Sequence, residues 1–136
     1  MLVIDASVAV DLCISPNGFD ELAGDDLVAP PLIGAETLST LHEMQWRGEI
    51  PDEMVDLGLT RYRQMPIRIE QPSALNDEAW RIADEFGWAK VYDAYYVALA
   101  RLLDCRLVTV DMRLRRGTDR LGFVITPEEL KPETDG

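Results

Sequence analysis

Residues 91–111 read VYDAYYVALARLLDCRLVTVD, and the fold follows from them. Val91 to Leu103 is apolar on nearly every side and carries one acid, Asp93, at its start. That pattern predicts a buried helix. Arg106 to Val110 (RLVTV) is an apolar, β-branched run too short for a helix, which predicts a strand ending at Asp111.

Working outward, the same alternation recurs. Leu2 to Ile4 is a second short apolar run, also ending in an acid, Asp5. Ala6 to Ile14 predicts a helix, broken by Pro16-Asn17-Gly18, with a helical turn near Asp20 to Ala23. Pro31 suits the first turn of a helix running from Leu32 to about Arg47 and closed by Gly48. Pro51 opens another, with Asp52 and Glu53 placed to favour its dipole, ending near Met65 before Pro66. Ile67 to Glu70 predicts a strand, Pro72 to Phe86 an amphipathic helix closed by Gly87, and Gly122 to Ile125 a last strand. Strands separated by helices predict an α/β fold, three layers (α/β/α) around a central parallel sheet. One domain is expected over residues 1–130, with a disordered tail over 131–136.

In such a sheet the active site forms at the carboxyl ends of the strands. Asp5 and Asp111 sit at such ends, while Glu36 and Asp93 sit on helices among apolar neighbours. Each has a bland alternative. Asp5 can be a turn or cap residue, Asp93 an N-cap, and Glu36 a half-exposed helix residue. Together, four converging carboxylates repel one another and require a cation. Oxygen-only ligands point to a hard ion, Mg2+ or Mn2+, and such an ion suits phosphodiester hydrolysis. The single histidine, His42, forms no cluster, and Cys13 and Cys105 lack zinc spacing; both cysteines are expected as reduced thiols of a cytoplasmic protein. The N-terminal MLVIDAS lacks the basic region of a secretory signal, and no apolar run approaches a membrane span.

The formal net charge of −12 opposes a nucleic-acid reading, since phosphate binding calls for a basic surface. The charge is uneven, however. Residues 101–120 hold six arginines against three acids. Arg113, Arg115 and Arg116, with Arg120, follow Asp111 closely and are the candidate RNA contacts; the alternative is a solvated loop.

These residues carry a resemblance. The chain resembles PIN-domain nucleases, and among them the VapC-type toxins of bacterial and archaeal toxin–antitoxin pairs. MLVIDASVAVDL resembles the family's first strand and first acid, Asp5, with Ser7 two positions on. APPLIGAETLSTL resembles the segment of the second acid, Glu36. VYDAYYVALARLL matches the helix of the third, Asp93, and LVTVDMRL the strand and last acid, Asp111, with Thr109 as polar neighbour. The likeness runs from Met1 to about Pro127. It implies Asp5, Asp93 and Asp111 as metal ligands, Glu36 as the group that orients or deprotonates the attacking water, and Ser7 and Thr109 as donors steadying the carboxylates. It implies RNA cleaved to a 5′-phosphate and a 3′-hydroxyl. It also implies a cognate antitoxin whose basic segment lies over the acidic cleft, and a homodimer face on helices 32–47 and 52–65. Ser39 departs from the pattern, standing where the family often has Asn.

Other features are expected to be non-catalytic. Glu43 lies about 10 Å along the helix from Glu36, and Asp11 is likewise set aside. Trp46, Trp80, Trp88, Tyr95 and Tyr96 offer faces for base stacking, but core or interface packing is expected. The rival function is a PIN-like module that binds RNA or protein without cutting. A receiver domain needs a lysine at a late strand end, and neither Lys90 nor Lys131 is so placed. A haloacid-dehalogenase phosphatase needs an acid where Ser7 stands.

Overall fold

The computed structural model describes residues 1–130; the expected tail over 131–136 lies outside the described residues. Three runs of fully buried apolar residues form the centre of the sheet: β1 (Leu2–Ile4), β2 (Leu27–Ala29) and β4 (Arg106–Val108), with Arg106 at the exposed end. β3 (Ile67–Ile69) and β5 (Val124–Ile125) complete a five-stranded sheet in the order β3-β2-β1-β4-β5, every neighbour parallel. Parallel strands covered on both faces read as continuous apolar runs rather than alternating ones. The edge strand β3 is the exception: it exposes Arg68, which pairs with Asp26 at 2.8 Å and with Glu70. Charge on an edge discourages pairing with another chain.

The helices are α1 (Ala6–Ile14), α2 (Leu32–Trp46), α3 (Asp52–Arg63), α4 (Leu75–Phe86), α5 (Tyr92–Leu103), α6 (Met112–Gly117) and α7 (Pro127–Leu130). α5 packs on β1, β4 and α4, burying Ala94 and every residue from Tyr96 to Ala100. α1 packs on α2 and α3, where Gly58 lets the helices approach. Two glycines and an aspartate end helices in the left-handed region: Gly48 after α2, Gly87 after α4 and Asp104 after α5.

Two elements are unassigned in the sequence reading: β2, and α6, for whose arginines a solvated loop is the alternative; both are regular structure. The strand predicted over Arg106 to Val110 stops at Val108, because the Val110 N–H turns to the Ser7 hydroxyl at 3.2 Å.

The C-terminus of α1 has no basic residue in its own last turn, so its carbonyls look elsewhere. Arg61 of α3 donates to the carbonyls of Cys13 at 3.2 Å and Pro16 at 3.1 Å, and to that of Ser15. Gly18, at φ +57°, lies directly under this guanidinium; a Cβ there would stand 2.8 Å from Nε. The glycine is thus required by both the turn and the clamp. Charged hydrogen bonds to a helix end contribute on the order of 1.5–3 kcal/mol, discounted for partial exposure. Arg61→Ala is expected to lower the unfolding free energy by about 2 kcal/mol in urea titrations. An unchanged midpoint would remove the clamp from the account of stability.

Candidate active site

Because the chain runs from β1 outward to β2 and β3 and then returns to β4 on the other side of β1, a crevice opens at the carboxyl ends of β1 and β4. Asp5 follows β1 there and is 5% exposed. Both of its carboxylate oxygens accept hydrogen bonds. Ser7 Oγ donates to Oδ1 at 2.5 Å, Thr109 Oγ1 to Oδ2 at 2.5 Å, and the Val8 N–H to Oδ1 at 3.1 Å. The last bond makes Asp5 the N-cap of α1. The two hydroxyls also accept backbone N–H groups, Ser7 from Val110 and Thr109 from Asp111 at 3.0 Å. One small network therefore ties β1 to the end of β4.

Asp111 caps α6, its Oδ1 accepting from the N–H groups of Arg113 at 3.0 Å and Leu114 at 3.2 Å. Asp93 is different. The bland alternative of an N-cap does not hold: Val91 has that position, and Asp93 lies in the first turn of α5 with no cap bond. Among the described residues its carboxylate has no hydrogen-bond donor, so it is free to meet a ligand. Glu36, half-buried on α2, accepts from the buried Tyr96 hydroxyl at 2.6 Å.

The four acids are electrically coupled. Burial pushes the carboxyls of Asp5, Glu36 and Asp93 above their ordinary values. The charge of Asp93 adds to the rise at Asp5 and at Glu36, and that of Asp111 to the rise at Asp93. The hydroxyls of Ser7 and Thr109 work the other way on Asp5, as Tyr96 does on Glu36 and the Arg113 cation on Asp93. Burial, then the Glu36 bond, drives the Tyr96 phenol upward, so Tyr96 serves Glu36 only as a donor. Among the described residues no three Asp, Glu, His or Cys side chains close into a ready-made metal cage. The donor set is nevertheless all-oxygen and mutually repelling, which is the chemistry of a hard divalent cation.

Glu36 and Asp93 line a cleft of about 600 Å³ together with Trp88, Lys90, Tyr92 and Arg113. Trp88 stacks on Phe86, the ring centroids 5.1 Å apart. Of the three arginines expected to touch RNA, only Arg113 reaches this cleft. Arg115 is held by Glu129 at 2.8 Å and Asp119 at 2.6 Å, and with Arg116 lines a separate hollow. Arg120 pairs with Glu85 and lies over the Phe86 ring. Asp11 and Glu43 are exposed and outside the cleft, and Ser39 and His42 line a groove between α2 and α3. Lys90 and Tyr96 were missed in the sequence. Lys90 stands alone in a loop, and Tyr96 shows only its three-residue spacing from Asp93.

The coupling has a measurable sign. A carboxyl whose pKa is higher in the folded chain favours folding at low pH, and that contribution is lost as pH rises through the folded value. Asp5, Glu36 and Asp93 are all raised, from ordinary values of 3.8, 4.5 and 3.8. The melting temperature of metal-free protein is therefore expected to rise as pH falls from neutral toward the ordinary carboxyl range. Asp5→Asn should melt higher than wild type at neutral pH and show a smaller rise. An Asp5→Asn protein that melts lower, with an undiminished pH dependence, would contradict the coupling.

Comparison with known proteins agrees with this architecture. The PIN domain family model matches residues 2–119. Ribonuclease VapC9 of Mycobacterium tuberculosis is 31% identical over 115 residues, covering 84% of this chain and 88% of the relative. Ribonuclease VapC3 of the same organism is 35% identical over 122 residues, covering 85% of each. The crystal structure of PAE2754 from Pyrobaculum aerophilum superposes with a TM-score of 0.73 at 24% identity, over 95% of this chain and 92% of that one, a likeness of fold. With its parallel sheet, its crevice of four acids and a family match spanning nearly the whole domain, the chain belongs to the PIN-domain family and, within it, groups with the VapC ribonucleases.

Proposed function

We propose that this protein is a metal-dependent endoribonuclease and the toxin of a toxin–antitoxin pair. The observation that carries the reading is the coupled set Asp5, Glu36, Asp93 and Asp111 at the crevice between β1 and β4. The names of its relatives, ribonucleases VapC9 and VapC3, support the substrate class.

Asp5, Asp93 and Asp111 would hold the cation, Mg2+ or Mn2+. Asp93 is unbonded, Asp111 has one oxygen beyond its capping bonds, and Asp5 is aligned by Ser7 and Thr109. When bound, such an ion polarises the phosphate, activates water and stabilises the leaving oxygen. Glu36, held by Tyr96 and with its pKa raised, accepts the proton of the attacking water. The new P–O bond forms from that water, the P–O3′ bond breaks and the departing 3′ oxygen takes a proton from solvent, leaving a 5′-phosphate and a 3′-hydroxyl. Lys90 and Arg113, which also line the cleft, offset phosphate charge.

The partners follow from the same surface. An antitoxin segment presenting Arg or Lys suits the surplus of carboxylates. A second copy of the chain suits the apolar groove of about 510 Å³ between α2 and α3, flanked by exposed Leu38. Among the described residues no helix is long and apolar enough to cross a membrane, and Cys13 and Cys105 are unpaired, which suits the reducing cytoplasm. The alternative of a non-cutting module has no specific support, since all four acids are present and coupled.

The reading is tested by RNA cleavage in Mg2+ or Mn2+ with EDTA as control. Asp93→Asn should fall to the EDTA background, Glu36→Gln should lose about 10²–10⁴-fold, and Thr109→Val about 10–100-fold. Cleavage that survives EDTA, or that is equal in all variants, would refute it.

A further inference from the structure

Beside the cleft lies a second hollow of about 330 Å³, lined by Pro30, Pro31, Leu32, Leu75, Tyr92 and Tyr95. Tyr92 borders both spaces and is the partition between them. It is 51% exposed although it precedes Asp93 directly. We propose that this hollow seats one unpaired nucleobase of single-stranded RNA, stacked on Tyr92, next to the phosphate engaged at the cleft. The inference rests on the ribonuclease reading and names the form of substrate that the site takes.

Three observations converge on it. First, phosphate attraction is scarce. The chain carries a net charge of −12, Arg115 and Arg120 are committed to acids, and only Lys90 and Arg113 line the cleft. Affinity must then come from bases, and an aromatic face gives about 1–3 kcal/mol per stacked base. Second, the chemistry of the hollow is that of a base pocket: a mostly apolar lining that includes the carboxamide of Asn76. The Tyr95 hydroxyl donates to Asn76 Oδ1 at 2.9 Å, which leaves the Asn76 NH2 to donate to an acceptor on the base edge. Gln71 adds a second carboxamide. Third, the hollow and the cleft share a wall residue, Tyr92, which places the base site beside the site of the phosphate. A base paired in a duplex offers neither its face nor its pairing edge.

Binding of short fluorescein-labelled RNA, measured by anisotropy with Mg2+ in a Glu36→Gln background that spares the RNA, tests this. Tyr92→Ala should weaken single-stranded RNA binding by about tenfold, while Tyr92→Phe binds as the parent does. Replacing one nucleotide after another by an abasic residue should find a position where the parent weakens equally and Tyr92→Ala loses nothing more. The salt dependence should be shallow, with a log–log slope of about −1.4 for two phosphates. Equal binding by the parent and Tyr92→Ala, or a preference for duplex, would overturn the inference while leaving the ribonuclease reading intact. Binding of no RNA at all by the parent would overturn both.

Discussion

A carboxylate buried at the seam of two parallel strands is the constraint on which the rest depends. Asp5 is removed from water, and burial alone would drive it to bind a proton. Two hydroxyls and one backbone N–H hold it instead, and their positions dictate the topology around them. Thr109 reaches Asp5 only because β4 lies directly beside β1, in register Ile4 with Val108. The α5 helix must then lie across both strands, which brings Asp93 into electrostatic range. Such an arrangement costs stability at neutral pH, and strain of that kind concentrates where a protein does chemistry.

The bland and the chemical roles of these acids turn out to be compatible. Asp5 caps α1 and Asp111 caps α6, while both border the crevice. A capping aspartate uses few of its lone pairs on the helix, and the remainder stay available. Asp93 and Glu36 have no capping duty, so their burial has no local structural explanation. The arginines show the reverse. A run after Asp111 looked like one basic patch, yet the helical geometry of α6 sends Arg113 to the cleft and Arg115 to Glu129.

Much of this was legible in the sequence. α1 follows its predicted bounds, Ala6–Ile14, because Asp5 and Pro16 mark both ends. α5 and β4 were clear from apolar continuity. β2 was not, although Leu27-Val28-Ala29 resembles Leu2-Val3-Ile4; three residues between two acids and two prolines are too short to outweigh their flanks. The burial of Tyr96 and its bond to Glu36 depend on two helices meeting sixty positions apart, which no local pattern encodes. Trp46 and Trp80, read as packing residues, stand in solvent within this single chain, at 84% and 68% exposure.

The central place of β1 has a consequence for how the molecule is made. Its residues leave the ribosome well before those of β4, one of its two neighbours, which lies about a hundred positions later. Until Thr109 emerges, Asp5 lacks one of its donors, and until Asp111 emerges the crevice lacks its fourth acid. Pairings of such long sequence separation form late and slowly. An unfinished polypeptide therefore cannot assemble the centre while it is still tethered to the machinery that synthesises it, and a product cut short before Thr109 lacks the completed crevice.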